Sequence, residues 1–99
     1  MLSTFMDGIE YRFYNHLYAV SRSGKVLRKL TPYMPRKRKD GYLEASRFLI
    51  HRMVATCWLQ KPSNSNLVHH KNGDKTDNHF NNLEWITQKE HMGERHKGC

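Results

Sequence analysis

The segment from Leu67 to His96, LVHHKNGDKTDNHFNNLEWITQKEHMGERH, constrains this chain more than any other. A short apolar run ends in two adjacent histidines, His69 and His70. A polar loop rich in Asn, Asp and Gly follows, and Asn82-Leu83-Glu84-Trp85-Ile86 then reads as a second short strand. Thr87-Gln88-Lys89-Glu90 fits a capping box, in which the Thr hydroxyl accepts from the Glu90 amide and the Glu carboxylate reaches back. The last helix therefore starts near Gln88. His91 sits in its opening turns, with its side chain leaning toward the helix start.

This order of strand, loop, strand and helix predicts a small unit closed around one metal ion. Adjacent residues of a strand point to opposite faces, so His69 and His70 cannot both bind one metal in a regular strand. At a strand end, one can face the helix while the other faces solvent and a substrate. That division suits one metal ligand and one general base, with His91 as the second ligand. Two protein ligands leave coordination positions open, as hydrolytic chemistry needs and a structural zinc site does not.

The 99 residues suit one compact domain with a modest core, since only 37% are hydrophobic. A formal net charge of +8 favours a polyanionic partner. No apolar run is long enough to span a membrane, and the N-terminal MLSTFMDGIEYRF lacks a signal-peptide pattern. Cys57 lies in a helical apolar pattern and reads as a small core residue, and Cys99 is terminal. The two form no disulfide framework, so a reduced, intracellular protein is expected.

Upstream, residues 9–20 read as two short strands broken near Asn15-His16, and Ser23-Gly24 as a hairpin turn. Residues 30–40, with two prolines and a charge run, read as a loop, and Gly41 to Leu49 as strand. Ile50, Met53, Val54, Cys57 and Trp58 fall at helical spacing, with His51, Arg52 and Thr56 on other faces. A helix from about Arg47 or Ile50 to about Leu59 is expected. The fold class expected is α+β. One domain over 1–99 is expected, with strands, a basic loop and a helix over about 1–66 and the histidine-bearing unit over 67–96.

The chain resembles the HNH endonucleases, whose core is the ββα-metal motif. The matching residues are Val68-His69-His70, Asn72-Gly73, Asp77-Asn78, Asn82-Leu83-Glu84-Trp85 and His91. Asn82 follows His70 by 12 residues, and His91 follows Asn82 by 9. Tyr18-Ala19-Val20-Ser21, Gly24-Lys25-Val26, Asp40-Gly41-Tyr42-Leu43 and His51-Arg52-Met53-Val54-Ala55 are similar to the segments that precede this motif in phage and intron-encoded homing-type members.

The resemblance implies His70 as the general base that deprotonates a water for attack on a phosphodiester. It implies Asn82 as the residue that ties the loop and orients that base, with His69 and His91 as metal ligands. It further implies a divalent cation, Mg²⁺ by default, with Mn²⁺, Zn²⁺ or Ni²⁺ tolerated by the two imidazoles. The products implied are a 5′-phosphate and a 3′-hydroxyl. Double-stranded DNA is the implied partner, and the source is a phage or mobile element. A monomer nicks one strand. A double-strand break needs a homodimer or two binding events, and an accessory phage protein is the other partner to consider.

Arg22, Lys25, Arg28, Lys29, Arg36, Lys37, Arg38 and Lys39 fall in a stretch without one acid, which favours phosphate contacts. Arg95 is a further candidate contact. The rival readings are a non-catalytic DNA-binding module with a structural metal, and a basic RNA-binding or membrane-surface protein. The latter leaves the spacing of His70, Asn82 and His91 unexplained.

Overall fold

The β-strands are short, and turn chemistry sets where each one ends. The computed structural model describes residues 2–87. Along the chain run β1 (Ser3–Met6), β2 (Ile9–Phe13), β3 (Tyr18–Ser21), β4 (Val26–Arg28), β5 (Thr31–Tyr33), β6 (Arg36–Lys37), β7 (Leu43–Ala45) and β8 (Phe48–Leu49). Helix α1 (Ile50–Trp58), β9 (Leu67–His70), a 3₁₀ turn (Phe80–Asn82) and β10 (Leu83–Ile86) follow. The expected last helix, with Glu90, His91 and Arg95, lies outside the described residues.

β1 to β5 form an antiparallel meander, β6 to β8 a second small sheet, and β9 and β10 a hairpin. Asp7 and Gly8 both take positive φ, the two-residue turn that joins tightly paired strands. Asn15 Oδ1 accepts from the amides of Leu17 and Tyr18 at 2.9 and 2.8 Å, which breaks β2 from β3 as the sequence predicts.

One expectation is corrected and another is refined. Residues 30–40 are not all loop, because β5 and β6 form there. Pro32 is tolerated in β5 because that strand is the edge of its sheet, where a missing N–H costs no ladder bond. The strand character expected over Gly41–Leu49 is divided between β7 and β8 by a turn in which Ser46 has φ 59°.

Alternation along β3 sends Tyr18 and Val20 to one face and Ala19 to the other. The first face joins Val26, Ala45, Ile50, Met53, Val54, Cys57, Val68 and Leu83 in the main core, and Ala19 joins Tyr11 and Leu27 in a smaller one. Helix α1 is the common floor of all three sheets. Trp58 packs at its end, with Nε1 donating to the Val20 carbonyl at 2.9 Å and the guanidinium groups of Arg12 and Arg22 over its ring. Among the described residues no helix is long and apolar enough to cross a membrane.

Candidate active site

The β9–β10 register decides where each histidine points. His69 pairs with Glu84, and His70 with Leu83. Directly opposed residues share a face, so His69 lies with Glu84, and His70 lies with the buried Leu83 on the core side. His70 is therefore 0% exposed and His69 5%. The expectation that one of the pair faces solvent is not met. The core side of β9 is covered by α1 and by the β6–β7 loop, which bring His51 and Tyr42 onto the His70 ring. The ring centroids of His51 and His70 are 4.8 Å apart, those of Tyr42 and His70 5.9 Å, and Tyr42 stacks on His51 at 5.0 Å.

The bond that fixes His70 comes from Asn78. Its Oδ1 lies 2.8 Å from His70 Nε2. A carbonyl oxygen only accepts, so Nε2 is the donor in this bond, and in the neutral imidazole Nδ1 is then the nitrogen with the lone pair. His70 Nδ1 has no hydrogen-bond partner among the described residues, and neither have His51 Nδ1 and Asn78 Nδ2. Each such buried atom costs about 1–3 kcal/mol.

Asn82 does a different job. Its Nδ2 donates to Asn72 Oδ1 at 3.0 Å and to the Asp77 carbonyl at 2.9 Å, and its Oδ1 accepts from the Asn72 amide at 3.2 Å. The Lys71 amide donates to the Asn82 carbonyl at 2.8 Å. Asn82 thus ties both ends of the loop to each other, while Asn78 reaches the His70 ring. Within the loop, the Thr76 hydroxyl and amide both donate to Asp74 Oδ1 and hold that carboxyl below its usual range.

His51 is the residue that sequence reasoning placed wrongly. It is buried at 6% exposure, and burial, with the neighbouring His70 and Arg52, pushes its pKa down to about 3 against the opposing pull of Asp40. Its position three residues before Val54 and four before Ala55 was the available signal, since those spacings share a helix face.

For a metal, the described residues offer His69, whose Nε2 is 4.0 Å from Glu84 Oε2. An imidazole with a carboxylate close by to orient it suits a divalent cation. Among the described residues no group of three His, Cys, Asp or Glu side chains converges, and His91 lies outside them.

Comparison with known proteins decides the family. An HNH endonuclease profile matches residues 60–93. An uncharacterized HNH endonuclease of Acanthamoeba polyphaga mimivirus is 34% identical over 88 residues, 79% of this chain and 27% of that protein. DNA endonuclease I-HmuI of Bacillus phage SP01 is 34% identical over 76 residues, 69% of this chain and 40% of that protein. A solved structure described as DNA binding and cleavage by the HNH homing endonuclease I-HmuI matches with TM-score 0.68 and 27% identity, over 96% of this chain and 57% of that one. The chain belongs to the HNH endonuclease family.

This HNH chain is α+β, with the fold of its homing-type relative. It spans 27% and 40% of the lengths of the two curated relatives. Its basic surface is less free than the sequence suggests. Arg22 pairs with Glu10 at 3.5 Å, Arg38 with Asp40 at 3.0 Å, and Arg36 Nε donates to Glu44 at 3.0 Å. The stretch without acids acquires three carboxylates once the chain folds. Lys25, Arg28, Lys29, Lys37 and Lys39 form no salt bridge among the described residues. Arg28 and Lys29 line one groove with Thr31, Tyr33 and Ser46.

Proposed function

We propose that this chain is the nuclease part of a metal-dependent DNA endonuclease that hydrolyses phosphodiester bonds, with His70 as general base. The observation that carries the reading is the Asn78–His70 bond inside the hairpin that the HNH profile matches. A proton fixed on Nε2 leaves Nδ1 as the basic atom, which is what a water-activating imidazole needs. That water gives its proton to Nδ1, its oxygen bonds to phosphorus, and the P–O3′ bond breaks. The products are a 5′-phosphate and a 3′ oxygen that takes a proton from solvent.

Asn82 acts by holding the loop that carries Asn78. His69 and His91 would hold the divalent cation, with the Glu84 carboxylate beside the His69 ring as the outer partner that orients an imidazole ligand. The chemistry such a cation supplies when bound is electrostatic stabilisation of charge growing on the phosphate and the leaving oxygen. Mg²⁺ is the default, and the imidazole donors also suit Mn²⁺, Zn²⁺ or Ni²⁺.

The partner is double-stranded DNA, held by Lys25, Arg28, Lys29, Lys37 and Lys39 through its phosphates. Arg22, Arg36 and Arg38 contribute where they exchange a carboxylate for a phosphate, and Arg95 is a further candidate. Tyr42 sits in the β6–β7 loop beside Lys37 to Lys39, so the element that binds phosphate also covers His70.

Supercoiled-plasmid nicking by wild type and His70→Ala, in each of the four metals and in chelator, tests this. Loss of the base is expected to slow nicking by about 10²–10⁴-fold. Equal cutting by both proteins, or none in any metal, would sink the reading.

A further inference from the structure

Among the described residues Lys75 is the one lysine that is not exposed. A lysine that serves solubility or a phosphate keeps its ammonium in water. This ammonium turns inward instead. Nζ donates to the Asp40 carbonyl at 2.9 Å and lies 4.8 Å from the centre of the Tyr42 ring. The stem lies against Gly41, where a Cβ would stand 3.2 Å from Lys75 Cδ. One side chain thus meets three consecutive residues of the β6–β7 loop.

Both ends of this link are held. At the far end, Asp40 Oδ1 accepts from the Tyr42 amide at 3.3 Å, and Arg38 pairs with Asp40 Oδ2 at 3.0 Å. The Arg38 amide donates to the Tyr42 carbonyl at 2.8 Å. At the near end, Lys75 stands between Asp74 and Thr76, which are bonded to each other, and two residues before Asp77, whose carbonyl Asn82 holds. Tyr42 stacks on His51 at 5.0 Å and 26°, and the His51 ring is 4.8 Å from that of His70. The loop between β9 and β10 therefore reaches His70 twice, directly through Asn78 and through Lys75 and the packed rings.

We propose that Lys75 is a positioning residue for His70: it holds Tyr42 against His51 and so restricts the tilt of the His70 ring. The proposal rests on His70 being the base. One hydrogen bond at a ring edge leaves the ring free to tilt about it, and packing across the ring plane removes that freedom. A charged donor on a carbonyl and a cation over an aromatic ring are stronger than their neutral counterparts, so lysine holds this loop better than an apolar residue of the same length. With its ammonium engaged by Asp40 and Tyr42, Lys75 acts on the turnover step and not on phosphate binding.

The test compares wild type, Lys75→Met, which keeps the stem and removes the charge, and Lys75→Arg, which returns a cationic donor. The first readout is plasmid nicking, with kcat and KM separated. Lys75→Met is expected to lower kcat by about tenfold with KM for DNA unchanged, and Lys75→Arg to recover part of that loss. The second readout needs neither metal nor DNA. The NMR signals of the His51 and His70 ring C–H protons are expected to shift in Lys75→Met, as the Tyr42 ring current falls on them differently, and to return toward wild type in Lys75→Arg. Wild-type kcat in Lys75→Met, or ring protons that do not move, overturns the proposal. So does a salt slope of DNA binding lowered by about 0.9 in Lys75→Met, which marks a phosphate contact instead. If wild type nicks in no metal, the endonuclease reading fails by that result, and the ring protons alone decide whether Lys75 holds the stack.

Discussion

Gly24, in the turn between β3 and β4, lies against Asn78 so closely that a Cβ on it would stand 3.2 Å from the Asn78 Cβ. The same turn accepts the Phe80 amide on the Arg22 carbonyl at 2.7 Å. The N-terminal meander therefore presses on the residue that holds His70. Gly24 also has φ +93°, where a side chain is strained. Gly24→Ala should lose about 1–2 kcal/mol of stability, read as a fall in Tm of roughly 5–15 °C. It should slow nicking below the temperature of unfolding as well. Gly8→Ala is the control: its φ is +77° with nothing within 4 Å, so it should lose stability and keep its specific activity.

Asn78→Ala removes the acceptor from His70 Nε2 and lets the proton move to the other nitrogen. Nicking is expected to fall by about tenfold or more, up to the roughly 10²–10⁴-fold that a positioned base contributes in full. Asn82→Ala should instead loosen the loop between β9 and β10, seen as faster amide exchange at Lys71 and Asn72. The two substitutions acting identically on both readouts would contradict this division of labour.

The low pKa of His51 makes a pH prediction with a definite sign. In the unfolded chain a histidine takes a proton near pH 6.5, whereas folded His51 refuses one until about pH 3. Its contribution to stability is therefore full above about pH 6.5, declines as pH falls below that, and is lost only as pH reaches about 3. The slope from this one group is at most about 1.4 kcal/mol per pH unit. Urea midpoints measured from pH 7.5 to 4.5 should fall, and His51→Phe should flatten the curve. His70 and Arg52 oppose protonation there and Asp40 favours it, so Asp40→Asn should depress the His51 pKa further.

Leu30 is half-exposed at 53% and has φ 64°, next to Lys29 at φ 51°. Such a two-residue hairpin turn prefers Asn or Gly. Leu30→Gly relieves the left-handed strain at some cost in chain entropy, for a net gain of about 0.5–1 kcal/mol. A thermal melt should show the rise, with nicking unchanged. A lower Tm would mean that the Leu30 side chain makes a contact worth more than the strain.

The basic residues should separate by salt dependence. Each duplex phosphate contact removed lowers the slope of log affinity against log salt by about 0.9. Lys37→Ala and Lys39→Ala should each show this with little change in Tm. Arg36→Ala should show it less and destabilise more, because the Glu44 carboxylate, only 8% exposed, would lose its main partner.

The sequence by itself determined the local grammar of this protein. It marked the apolar stripe of α1, the Asn15 and Gly24 turns, and the two strands that carry His69-His70 and Leu83-Glu84. Each is set by side-chain periodicity or by a backbone preference acting over a few residues. Asp7-Gly8 was an equally readable hairpin signal for β1 and passed unread. The spacing of His70, Asn82 and His91 pointed to the HNH family for the same reason, since a motif is a local pattern.

Tertiary structure alone decided what surrounds those residues. It set Asn78 rather than Asn82 on the His70 ring, turned His51 inward, and brought Glu10, Asp40 and Glu44 to a run of cations that looks unopposed in the sequence. These outcomes depend on strand register and on which elements pack together. A carboxylate or imidazole from dozens of residues away then changes the charge and solvation of a group that its own neighbours leave untouched.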